Sequence, residues 1–139
     1  MMKKACPIGV SDYSKLIQED YYFVDKTLLI KDFLEIRNQV TLITRPRRFG
    51  KTLNMSMLSE FFDITKDSKE LFIGTKIMDS PYASQMNQYP TIFMSFSGTK
   101  YDKFTVVSTI KKQLQNKWDR YSFVFEGLSG FQKTKTVII

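Results

Sequence analysis

The sequence contains no histidine and a single cysteine, Cys6. Without imidazole there is no His-dependent triad and no histidine metal ligand, and one thiol can neither close an intramolecular disulfide nor complete a Cys–His zinc set. Cys6 therefore reads as a plain free thiol in a reducing, cytoplasmic setting. Long apolar runs are missing too. The longest covers residues 21–24, against the roughly 20 residues that a membrane span needs. Lys3 and Lys4 lead into Ala5-Cys6-Pro7-Ile8-Gly9 and then polar residues, far short of a secretory apolar region of about 7 to 15 residues. Export and membrane insertion are not expected.

What the chain does have is 42% hydrophobic and 14% aromatic residues over 139 positions. That suffices for one domain burying roughly two-thirds of its unfolded surface. The net charge of +7 is uneven, with 13 basic and 11 acidic residues in 1–99 but 8 and 3 in 100–139. A denser basic cluster, Arg45, Arg47, Arg48 and Lys51, has no acid within it. Such clusters attract polyanions.

Periodicity divides the chain into alternating elements. Residues 11–20 read as a short helix with Ser11 as its cap, and residues 21–24 as extended. Thr27 reads as the cap of a helix running to about Arg37, with Ile30, Phe33 and Leu34 on one face. Residues 40–44 are expected as an interior strand, and residues 51–63 as a helix with Leu53, Met57, Leu58, Phe61 and Phe62 in an apolar stripe. Residues 64–89 are turn-rich, with a half-turn over 68–72. A second strand, parallel to the first, is expected over 91–96, then a helix from about Asp102 with Phe104, Val107, Leu114 and Trp118 on one face. The predicted fold class is α/β, a partial P-loop NTPase-like parallel sheet with flanking helices, in a single domain over 1–139. Phe61, Phe62, Phe104 and Trp118 are expected in the core, and Lys100, Lys103, Lys111, Lys112 and Lys117 on a solvated face.

The strand-to-helix junction carries the chemistry. Phosphate binding there needs inward-facing amides, the partial positive charge of a helix N-terminus and a lysine that reaches the outer phosphates. Gly50-Lys51-Thr52 supplies that ending: glycine for the turn, Lys51 for the β and γ phosphates, and the Thr52 hydroxyl for Mg²⁺. The pattern G-x-x-x-x-G-K-[ST] asks for glycine at position 45, where this chain has Arg45 followed by Pro46, which has no amide to donate. The candidate cofactor-binding residues are Arg45, Pro46, Arg47, Arg48, Phe49, Gly50, Lys51 and Thr52, with Thr52 as the metal ligand.

Three segments, Pro7-Ile8-Gly9-Val10-Ser11-Asp12-Tyr13, Tyr21-Tyr22-Phe23-Val24-Asp25-Lys26-Thr27 and Leu42-Ile43-Thr44-Arg45-Pro46-Arg47-Arg48-Phe49-Gly50-Lys51-Thr52-Leu53-Asn54-Met55-Ser56-Met57-Leu58, resemble the AAA-ATPase-like family of prokaryotic proteins. The resemblance covers about residues 5–97. In that family an arginine-rich loop without the first glycine is the usual form. The resemblance implies an N-terminal P-loop ATPase-like domain, a Walker B strand ending in acids further along, and often a C-terminal restriction-nuclease-like domain. This chain carries neither of the last two, so a fragment or truncated product is expected.

The expected function is ATP binding with Mg²⁺ through the loop at 45–52. Asp20 and Asp25 flank a predicted strand without an apolar lead-in and are not assigned to catalysis; Asp25-Lys26 reads as a turn or cap. With no Walker B carboxylate, little or no turnover is expected from this chain alone. The alternative is a non-enzymatic module with an inactive loop, binding nucleic acid or a protein partner through its basic surface. An open sheet edge would also favour self-association.

Overall fold

Helical periodicity in residues 51–63 produces the element around which the rest packs. In the computed structural model, which describes residues 4–44, 46, 50–95, 103–125 and 137–138, helix α3 spans Lys51–Phe62. Its Met57, Leu58, Phe61 and Phe62 are buried. They join Tyr13 of α1 (Tyr13–Gln18), Ile30 of α2 (Leu28–Ile36), Phe72 and Ile77 in one core. Phe61 meets Phe62 at 5.2 Å and 88°, and Phe72 at 5.4 Å and 81°. These are the edge-to-face arrangements that aromatic quadrupoles favour. At about 1.5–3 kcal/mol for each fully buried large apolar side chain, this cluster is the main source of stability.

The end of α3 would leave four carbonyls without intrahelical partners. All four are met: Asp63 N donates to Ser59 O, Asn87 N to Phe61 O (2.7 Å) and Tyr89 N to Phe62 O, and the Asn87 carboxamide donates to Glu60 O at 3.2 Å. Asn87 sits at φ +54°, a left-handed conformation that asparagine tolerates better than most residues. Residues 87–89 are thereby locked across the bottom of α3.

One cap falls on a different residue from the one expected. Asp12, not Ser11, caps α1, because its carboxylate accepts from Lys15 N at 2.9 Å, the amide that a cap one residue before the helix reaches. Thr27 holds the N-cap position of α2 as expected, but its backbone is already helical, at φ −64° and ψ −18°, and its side chain makes no cap bond. Its hydroxyl instead donates to Asp25 at 2.7 Å and accepts from Ile77 N at 3.2 Å. Asp25 takes the turn role expected of it, accepting from the amides of Thr27 and Lys76, both at 2.8 Å.

The half-turn expected over 68–72 is a 3₁₀ turn, Lys69–Phe72. A second one, Pro81–Gln85, is capped by Ser80. Strands depart furthest from expectation. Among the described residues, strand structure is confined to β1 (Thr91–Ile92) and β2 (Val137–Ile138), paired in parallel with Thr91 opposite Val137. Residues 21–24 and 40–44 carry no strand pairing, and Val40 and Leu42 are each 83% exposed. A strand needs a hydrogen-bonding neighbour as well as a β-forming composition, and β1 pairs with β2 rather than with residues 40–44. The described fold is thus helix-rich with one short strand pair.

Helix α4 (Lys103–Arg120) and the short α5 (Ser122–Phe125) follow β1. Phe61 and Phe62 lie in the core as expected, but Trp118 is 54% exposed. Helical spacing placed Val107, Leu114 and Trp118 on one face, yet that face of α4 is turned to solvent; spacing defines a stripe but not what covers it. The side chains of Lys103 and Phe104, and all of Lys100, lie outside the described residues. What fastens α4 is polar. Asp63, 2% exposed, accepts from Tyr121 Oη at 2.6 Å and from Arg120 Nη2 at 2.5 Å.

Candidate phosphate site at the start of α3

Gly50 precedes α3 at φ +72° and ψ +22°, and its carbonyl accepts from Asn54 N at 2.9 Å to close the first helical turn. A Cβ built at this position would meet no atom within 4 Å. Glycine is therefore required by the left-handed backbone and not by crowding. Gly50→Ala is expected to cost about 1 kcal/mol in urea unfolding; an unchanged midpoint would show that the turn relaxes freely.

Lys51 is half-buried and Thr52 exposed on the first turn. That turn contains no acid of its own to offset the partial positive charge of the helix end. A cleft of about 790 Å³ opens in front of it, lined by residues 7–11 on one side and by Gly50, Lys51, Thr52 and Leu53 on the other. Residues 7–11 are held in place from both ends. Downstream, Asp12 caps α1, and Tyr13 N donates to Ser56 Oγ of α3 at 3.0 Å. Upstream, Tyr22 N donates to Ala5 O at 2.9 Å. Gly9, at φ +77°, makes the turn between them. Sequence reasoning assigned this segment no place in the site. Its local signal was only Pro7 and Gly9, since the contact that places it spans 43 residues.

Of the residues read as cofactor-binding, Gly50, Lys51 and Thr52 come together on this cleft. Pro46 is exposed, and Arg45, Arg47, Arg48 and Phe49 lie outside the described residues. Among the described residues no group of three or more His, Cys, Asp or Glu side chains could hold a metal ion. Thr52 offers a hydroxyl at the helix start, with Ser11 across the cleft, which fits an Mg²⁺ that keeps its waters and arrives with phosphate oxygens, and not one caged by protein ligands.

A second basic region lies beyond α3. Lys111 and Lys112 are exposed on α4. The Lys117 ammonium is pushed below its ordinary value, first by burial and then by the nearby Arg120 and Lys66 charges. No helix among the described residues is long and apolar enough to cross a membrane.

The family model for predicted AAA-ATPases matches residues 7–137. An uncharacterized protein in the vnfD 5′ region of Azotobacter chroococcum mcd 1 is 34% identical over 99 residues, 70% of this chain and 18% of that protein. The chain thus spans less than a fifth of that relative's length. No solved structure matches it. The family model runs from the segment that faces α3 through to β2, and on that coverage the chain belongs to the AAA-ATPase-like family.

Proposed function

We propose that the chain binds Mg-ATP at the start of α3, as the front part of a P-loop ATPase-like domain. The observation that carries this is the Gly50-Lys51-Thr52 opening of a 12-residue helix onto a cleft of about 790 Å³, in a chain of the AAA-ATPase-like family. In this reading the α3 amides and the Lys51 ammonium hold the β and γ phosphates, Thr52 reaches the accompanying Mg²⁺, and Arg45, Arg47 and Arg48 add charge around the phosphates. Residues 40–44 are the strand that leads into the loop once a parallel neighbour pairs with them. The protein acts in the cytoplasm.

Binding without turnover is the expectation. Phosphoryl transfer needs a group that positions the attacking water as well as a phosphate cradle. The acids nearest in sequence to the far end of α3 are engaged elsewhere: Glu60 with Lys66 at 2.5 Å, and Asp63 with Arg120 and Tyr121. Steady phosphate release that disappears in Lys51→Ala would contradict this.

The rival reading, a polyanion-binding surface, draws on the exposed Lys111 and Lys112 of α4, since Lys66 and Arg120 are paired with Glu60 and Asp63. Salt separates the two. Binding through several phosphates of a nucleic acid falls by orders of magnitude between 50 and 200 mM salt, about one decade in affinity per decade of salt for each contact. Mg-ATP affinity is expected to fall less than about fivefold over that range and to require magnesium. A magnesium-independent affinity that collapses with salt, for ATP and oligonucleotides alike, would favour the rival.

A further inference from the structure

Two helices each carry an outward stripe that the core does not use. On α2 the core takes Ile30, Phe33 and Leu34, while Leu28, Asp32 and Ile36, at successive i, i+4 positions, share another face. On α4, Val107, Lys111, Leu114 and Trp118 follow one another at spacings that also keep them on one face. Leu28, Ile36, Val107, Leu114 and Trp118 are 41% to 58% exposed, and Asp32 and Lys111 are exposed with them.

The stripes agree in length and oppose in charge. At about 1.5 Å of rise per residue, Leu28 to Ile36 spans about 12 Å and Val107 to Leu114 about 10.5 Å. Each has a charge near its midpoint, Asp32 on α2 and Lys111 on α4. Glu35 is engaged by Lys31 at 3.7 Å and by the Tyr82 hydroxyl at 3.2 Å, so Asp32 is the acid of the α2 stripe. Lys112, also exposed, adds to the positive side. A hollow of about 390 Å³, lined by Thr105, Val107, Ser108 and Lys111, gives the α4 stripe a seat for an apolar side chain.

We propose that α2 of one copy of this chain docks on α4 of a second copy, with Asp32 against Lys111 and with Leu28 and Ile36 against Val107 and Leu114. Charge selects this crossed pairing. Packing α4 on α4 would bring Lys111 and Lys112 of both copies together, and packing α2 on α2 would do the same for Asp32; like charges repel in either case. A nucleic acid would satisfy the lysines but leave the interleaved valine, leucine and tryptophan uncovered. The crossed contact buries the apolar residues and neutralises the charge on both sides. One contact between two short helices is small, but each copy offers both helices. A reciprocal pair doubles the area, toward the about 1,200 Å² of the smaller stable interfaces. Weak, reversible association is the consequence.

The test is sedimentation velocity of the full chain over a dilution series, for the unaltered protein, Asp32→Lys, Lys111→Glu and the double variant with both reversals. Each single reversal turns an attraction into a repulsion and is expected to raise the dissociation constant at least about 10-fold. The double reversal restores opposite signs and should recover most of the loss. Trp118, the single tryptophan, lies on the α4 stripe, and its emission should move to shorter wavelength as the unaltered chain associates. Far-ultraviolet circular dichroism checks that each variant is folded; the neutral Asp32→Asn and Lys111→Gln, expected to weaken association less, replace any reversal that is not. A chain that stays monomeric at every concentration, an association that survives either single reversal, or a double variant no better than the singles would overturn the contact.

Discussion

Asp63→Ala is expected to lower the stability of the chain by about 3 kcal/mol, roughly 10 °C in melting temperature for a domain of this size. The reason is the number of groups that converge on one buried carboxylate. Asp63 Oδ1 accepts from Tyr121 Oη at 2.6 Å, from Thr65 Oγ1 at 2.7 Å and from Thr65 N at 2.9 Å, and Oδ2 from Arg120 Nη2 at 2.5 Å. Removing it leaves the Tyr121 hydroxyl with only the backbone N–H and C=O of Thr91, deprives Arg120 and Thr65 of their shared acceptor, and cuts the link from α3 to α4. Tyr121→Phe keeps the ion pair and is expected to cost less, about 1–2 kcal/mol. A denaturation series that ranked the two variants the other way would show that packing of the Tyr121 ring, not the carboxylate, fastens α4.

The same carboxylate gives a pH dependence of defined sign. Burial works against its charge, but the hydrogen bonds from Tyr121 and Thr65 and the Arg120 guanidinium outweigh it and hold Asp63 below the ordinary range. A depressed pKa contributes stability above the unfolded value, about 3.9, that is lost as pH falls through the folded value. The difference between wild type and Asp63→Ala should thus be constant from pH 5 to 8 and narrow below about pH 4. The Tyr121 hydroxyl is pushed up to about 12, first by burial and then by Asp63. Its proton is retained on folding, so its contribution is full below about pH 10 and declines as pH rises toward 12.

Local rules were sufficient where local forces decide. The start of α3 at Lys51 and its buried stripe follow from a glycine, a helical period and aromatic residues at that period. Asp25 as a turn-former followed from its short polar side chain next to a helix start. What escaped was everything that a distant segment decides. Residues 40–44 have β-forming composition but gain no strand pairing, while residues 137–138, which carry too little pattern to assign, pair with β1. Trp118 lies on a real helical stripe whose cover the spacing does not specify. The place of residues 7–11 in the candidate site depends on the Tyr13–Ser56 hydrogen bond, which neither the turn-formers Pro7 and Gly9 nor the family resemblance of that segment specifies. The arginines of the loop, Arg45, Arg47 and Arg48, stay at the level of a sequence motif, since they lie outside the described residues.

Thermal unfolding of the wild-type chain and of Lys51→Ala, each with and without Mg-ATP, tests the nucleotide site most directly. A ligand that binds only the folded state stabilises it by about 2.7 kcal/mol at 100 times its dissociation constant, here about 8 °C in the wild type. Lys51 faces the cleft at the start of α3, so most of that shift should vanish in Lys51→Ala, and comparing each protein with its own nucleotide-free melt removes any effect of the substitution on packing. A wild-type melt indifferent to millimolar Mg-ATP, or an equal shift in both proteins, would contradict nucleotide binding at this site.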